Sequence, residues 1–181
     1  LAPDFNLPAT NCKKYLLNTF ADKKALVIIF SCNHCPYVQA YEDRIIEIQK
    51  DYSKDVQVVA ISSNEDVNYP EDSFENMKAR AQMKKFNFPY LHDETQNVAK
   101  AYGATHTPEI FLFDKERKLV FHGKIDDNWQ APKSVKSKYL RNAIDELLSG
   151  KQISVPETFT IGCTIKWMKR FCSIAELSIV R

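Results

Sequence analysis

Residues 25–49 read ALVIIFSCNHCPYVQAYEDRIIEIQ: an apolar run, a polar turn carrying two cysteines, and then a pattern of a different period. Ala25 to Phe30 is unbroken apolar sequence with β-branched side chains at its centre, as expected of a strand buried on both faces. Beyond Pro36, the residues Val38, Tyr41, Ile45 and Ile48 recur at intervals of three and four, so a helix with one apolar face is expected from Pro36 to about Tyr52. Val56 to Ile61 reads as the next strand. Strand, helix and strand in this order make a right-handed crossover, which sets the two strands parallel.

The rest of the chain continues the alternation. SSNEDVNYPEDSFENMKARAQMKKFNF starts polar and becomes helical past Pro70, with Phe74, Met77 and Ala81 on one side, and reads as a surface insertion. A short helix from about Thr95 to Tyr102 should stop at Gly103, and TPEIFLFDKERKLVFHGKI gives two strands around a charged turn. Val135, Tyr139, Ala143, Leu147 and Leu148 mark a last helix that closes at Gly150. Residues 151–181 show no periodicity. The order of elements predicts an α/β fold, a sheet with helices on both faces.

At 181 residues the chain is the size of one domain, able to bury roughly 70% of its unfolded surface. Its 25 basic and 23 acidic residues leave a net charge of +2, which gives no electrostatic reason to expect a nucleic acid or membrane surface as partner. No apolar run approaches the length of a membrane span, so the chain reads as soluble. Five cysteines, at 12, 32, 35, 163 and 172, are too few for a disulfide scaffold, and the odd count leaves one thiol unpaired in a monomer. That points to a reducing, cytoplasmic setting. The chain begins at Leu1, so removal of a leader is an open alternative.

Cys32 and Cys35 sit where a buried strand turns into a helix. Unpaired N–H groups and the helix dipole there favour negative charge, and therefore a thiolate. His34 between them adds positive charge, which should lower the Cys32 pKa and make the disulfide more oxidising. Cys32 is accordingly expected to be the more exposed and more acidic thiol. A zinc site would need about four ligands, commonly as two close pairs. Cys163 and Cys172 are not such a pair and His92, His106 and His122 are scattered, so no metal is expected. Thr107-Pro108 precedes the strand from Glu109 to Phe113. A strand-initiating proline is tolerated in any sheet; the functional reading is a cis bond that turns the loop toward the cysteines and leaves a backbone edge for a bound polypeptide.

Several separate blocks carry a resemblance: SCNHCPYV, ISSN with YPEDS, TPEIFLFD, DDNW and GCTIKW. Together they resemble a thioredoxin-fold redoxin family within the alkyl hydroperoxide reductase and thiol-specific antioxidant superfamily, often described as thiol-disulfide isomerases. The resemblance spans about Ala2 to Trp167. It implies a thioredoxin-like central mixed β-sheet flanked by helices, a nucleophilic Cys32, a resolving Cys35 and a cis Pro108. It implies a domain at 1–167, and leaves 168–181 as a divergent or foreign tail.

The chain also departs from its relatives. Thioredoxins carry a buried acidic residue six positions before the first cysteine, where this sequence has Leu26. Glu109 is a candidate replacement as proton acceptor, a solvated strand-end carboxylate being the alternative. The function expected is thiol-disulfide exchange between the Cys32, Cys35 dithiol and protein or small-molecule disulfides, with a separate redox partner and no cofactor. Two alternatives stand. Peroxiredoxins place a threonine three residues before their peroxidatic cysteine, and Cys32 takes that place here. A redox-inert binding module would use Ser31, Asn33 and the insertion as its contact surface. Cys163 is a candidate third redox cysteine, carried on a tail that folds back over the site; a buried structural thiol is the other reading.

Overall fold

In the computed structural model, residues 1–169 are described, and Cys172 lies outside them. The elements in chain order are β1 (Asn6–Pro8), β2 (Lys14–Leu16), β3 (Ala25–Ser31), α1 (Pro36–Tyr52), β4 (Val56–Ser62), α2 (Phe74–Lys84), β5 (Tyr90–His92), α3 (Asn97–Tyr102), β6 (His106–Thr107), β7 (Glu109–Phe113), β8 (Leu119–Gly123), α4 (Tyr139–Leu148) and β9 (Cys163–Thr164). A mixed sheet runs in the order β5, β4, β3, β7, β8. β3 pairs parallel with β4, as the crossover rule requires, and antiparallel with β7.

The apolar run earns the central position, since every residue of β3 is buried and a strand with two apolar faces needs cover on both. Alternation decides which residue faces which layer. Val27 and Ile29 pack on one face with Tyr41, Ile45 and Ile48 of α1, Met77 of α2 and Leu140, Ala143 and Ile144 of α4. Leu26, Ile28 and Phe30 pack on the other with Val98 and Ala99 of α3 and with Phe5, Leu7 and Phe20. Helices therefore cover both faces. Burial of each large aliphatic side chain contributes about 1.5–3 kcal/mol.

Three strands and two helix starts differ from the sequence pattern. The hairpin of β1 with β2 and the three-residue β5 are too short to leave a periodic signal. Val135 lies outside α4, extended at φ −64° and ψ 123° after a 3-10 turn at Pro132–Ser134. The short helix begins at Asn97 rather than Thr95, because Gln96 adopts a left-handed conformation. Gly103, at φ +69°, does end it, in the left-handed cap that glycine adopts without cost. No helix among the described residues is long and apolar enough to cross a membrane.

Candidate active site

Cys35 is the N-cap of α1 and Pro36 occupies the first turn, where its missing N–H costs nothing. Cys32 follows the last residue of β3. The cis bond at Thr107-Pro108 lies opposite. Thr107 spans both thiols: its Oγ1 is 3.3 Å from Cys32 Sγ and its carbonyl oxygen 3.2 Å from Cys35 Sγ. Val38 is buried in the same cluster, and Tyr37 packs against it. The DDNW block borders it, with Asp126 held by Tyr41 and Arg44 and the Trp129 ring 4.3 Å from that of Tyr37.

Neither cysteine is open to solvent: Cys32 is 1% exposed and Cys35 0%. Burial does not separate the two thiols, and their pKa directions run opposite to the expectation that Cys32 is the more acidic. The helix N-terminus serves Cys35, whose Sγ lies 3.2 Å from the Thr107 carbonyl oxygen and 2.8 Å from Cys163 Sγ, and whose pKa is drawn below the ordinary thiol value, first by the neighbouring Cys32 thiol. Cys32 is pushed well above the usual thiol range, first because it donates to Cys35, then by burial and by the nearby Asp72 carboxylate.

The insertion supplies what the sequence pattern concealed. It is not a surface feature at its centre, because Asp72 is fully buried and Asn64 nearly so. Asp72 Oδ1 accepts from the backbone N–H groups of Asn33 (2.7 Å) and His34 (3.2 Å), while Oδ2 accepts from Asn64 Nδ2 (2.7 Å) and lies 2.6 Å from His34 Nδ1. A carboxylate only accepts, so Nδ1 carries the proton in that pair. His34 also stacks on Tyr69, with ring centroids 5.4 Å apart. Asn33 is buried too, bonded to Glu71 O, Gln39 and Tyr90. The turn between the cysteines is thus clamped by residues 64–72, and the imidazole faces Asp72. The only sequence signal for Asp72 was its place in the quoted YPEDS block.

Cys32 Sγ, a His34 ring nitrogen and an Asp72 oxygen lie within 4.8 Å of one another and form a set of metal-ligating atoms. His34 and Asp72 are already engaged with each other and with backbone donors, which suits a hydrogen-bonded clamp.

Glu109 is 3% exposed but its carboxylate is committed elsewhere. Oε2 accepts from the N–H groups of Thr105 (2.7 Å) and His106 (2.9 Å), and Oε1 is 2.8 Å from His122 Nε2. It fastens the loop before Pro108 rather than reaching a thiol. Leu26, at the position of the thioredoxin acid, is buried in the apolar layer on the α3 side.

The backbone edge expected to receive a polypeptide is occupied by the chain itself. β9 pairs antiparallel with β6, matching His106 to Thr164 and Thr107 to Cys163. Cys163 Sγ thereby sits 2.8 Å from Cys35 Sγ. Burial, the hydrogen bond to Cys35 and its charge push Cys163 up to about 11.

Comparison with known proteins places the chain in a family and agrees with its fold. The sequence profile of the AhpC/TSA family matches residues 1–122. No curated protein matches the chain. Among solved structures, a hypothetical protein from Sinorhizobium meliloti is 40% identical with a TM-score of 0.87, over 92% of both chains. An uncharacterised conserved protein from Geobacillus kaustophilus is 41% identical with a TM-score of 0.87, over 92% of this chain and 90% of its own. A putative thioredoxin from Neisseria meningitidis shares the fold at a TM-score of 0.64 and 23% identity, over 82% of this chain and 89% of its own.

Proposed function

Because the chain belongs to the AhpC/TSA family, we propose that it is a thiol-disulfide oxidoreductase that exchanges electrons with disulfides through Cys32 and Cys35. The observation that carries this reading is that Thr107 bridges both sulfurs at the junction of β3 and α1, its Oγ1 3.3 Å from Cys32 Sγ and its carbonyl oxygen 3.2 Å from Cys35 Sγ. A thiolate is the nucleophilic form, and a neighbouring thiol is what resolves a mixed disulfide.

Cys32 gives up its proton as its sulfur attacks one substrate sulfur, and the other substrate sulfur leaves with the electron pair and takes that proton. Cys35 then attacks Cys32, gives up its own proton, and expels the second substrate sulfur, which takes it. The products are the Cys32–Cys35 disulfide and two substrate thiols, so two electrons and two protons are accounted for. Asp72 and His34 hold the turn at the position this exchange needs. Protein or small-molecule disulfides are the substrates of this reading, and a second dithiol protein is the redox partner.

Equilibration with glutathione buffers, read by peptide mapping, tests it. A Cys32–Cys35 disulfide with a defined potential is expected, together with catalysed reduction of insulin disulfides that is lost in Cys32→Ser. A pair that never oxidises, or a protein that consumes hydrogen peroxide while leaving insulin untouched, overturns it.

A further inference from the structure

We propose that Cys163 is a third redox cysteine, which takes the disulfide from Cys32 by bonding to Cys35 and so frees Cys32 in the oxidised protein. The inference rests on the dithiol reading above and extends it. Its first ground is distance. The Cys35 and Cys163 sulfurs are 2.8 Å apart, so a shift of under about 1 Å brings them to the ~2.05 Å of a disulfide bond.

The second ground is how firmly the chain delivers this residue. β9 matches Cys163 with Thr107, the residue that touches both sulfurs of the pair. Gly162 makes the approach feasible, since a Cβ there would stand 2.2 Å from the Thr107 carbonyl oxygen. On the other side Ile165 is 3% exposed within the apolar layer over α3, its N–H bonded to Thr105 O. Lys166 is held through its N–H by Asn64 Oδ1 and through its carbonyl by Gln96 Nε2 and the Glu65 N–H. The pairing of β9 with β6 and the anchors on its C-terminal flank hold the Cys163 thiol at the site. Because β9 uses the edge of β6, Cys163 reaches the site as the cysteine of a bound extended peptide would.

The chemistry is a thiol-disulfide exchange with no net redox change. Starting from the Cys32–Cys35 disulfide, Cys163 loses its proton and its sulfur attacks Cys35 Sγ. The Cys35–Cys163 bond forms, the Cys32–Cys35 bond breaks, and Cys32 leaves with the electron pair and takes the proton. An oxidised protein with a free Cys32 can open a second disulfide and return it rearranged, which is isomerisation as distinct from simple oxidation or reduction.

The experiment uses the full chain with Cys12→Ser and Cys172→Ser, leaving three thiols. Oxidised with excess oxidised glutathione, this protein should yield Cys35–Cys163 peptides beside Cys32–Cys35 on non-reducing mapping. Adding Cys32→Ser should still allow loss of both remaining thiols into a Cys35–Cys163 disulfide. If only Cys32–Cys35 forms while Cys163 stays alkylatable or carries glutathione, the third-cysteine inference fails and the dithiol function stands. If neither a Cys32–Cys35 nor a Cys35–Cys163 disulfide forms, the function itself fails. Should the Cys32→Ser chain not fold, as read by circular dichroism, the mapping of the three-thiol protein decides alone.

Discussion

At the residue scale, Asp72 is the side chain on which the active turn depends most. Asp72→Ala would leave the Asn33 and His34 N–H groups and the Asn64 amide buried without an acceptor, at about 1–3 kcal/mol each where water cannot reach them. A loss of about 3 kcal/mol or more is expected in urea unfolding of the reduced protein, and a loss under about 1 kcal/mol would show that the clamp is dispensable. The charge of Asp72 can be probed separately. It raises the Cys32 pKa, so Asp72→Asn should lower it, while His34→Ala removes the group facing that carboxylate and should raise it. Alkylation rates of Cys32 against pH, in the two variants, read the opposite shifts; movement in the same direction would contradict the pairing.

Cys35 gives a pH dependence whose sign follows from its pKa. Held below an ordinary 9.0, it binds fewer protons folded than unfolded between its folded pKa and 9.0. Its contribution to stability is therefore full above 9.0 and is lost as pH falls through the folded value. Cys163 and Cys32, raised in the fold, work in the opposite sense only above 9.0. Just below about pH 9 the stability gap between the reduced protein and Cys35→Ser should widen as pH rises, by at most about 1.4 kcal/mol per unit. A gap that does not change with pH would place the more acidic thiol elsewhere.

At the scale of elements, β9 depends on one missing side chain. Gly162→Ala sets a methyl group against the Thr107 carbonyl, and such overpacking costs about 1–3 kcal/mol unless the strand retreats. Retreat is the cheaper outcome for a two-residue strand. The expected signature is a Cys163 that alkylates severalfold faster in the variant, with little change in unfolding free energy. An unchanged rate would mean that β6, not β9, gives way. The stretch from Asn64 to Asp72 shows the same dependence on packing, because its polar composition reads as surface until a buried turn supplies donors for it.

For the whole molecule, the segment after α4 is tied into the fold. His122 N–H bonds to Pro156 O, Thr158 N–H to His122 O, and Ile165 enters the core layer. Ile165→Ala should cost about 2–5 kcal/mol, as for a buried aliphatic in a compact core. A change below about 0.5 kcal/mol in chemical denaturation would mean that this segment docks without being part of the cooperative unit.

The sequence by itself determined the layers and the reactive turn. An apolar run followed by a period-3.6 pattern leaves one arrangement of buried faces for β3 and α1, and the strand-to-helix junction puts the cysteine pair beside unpaired N–H groups, though the pattern alone assigned their effect to Cys32 and the structure has Cys35 as the N-cap. Hydrophobic periodicity is local, so it survives in one dimension, and for the same reason Val135 could be counted with a helix that starts at Tyr139. What only the tertiary structure decided are the contacts between residues far apart in the chain. Asp72 meets the turn at 33–34 across 38 residues, Glu109 spends its carboxylate on Thr105, His106 and His122, and Cys163 reaches Cys35 across 128. Such contacts depend on which sheet edge a returning segment finds open, here the backbone of Thr107, and no local pattern records that choice.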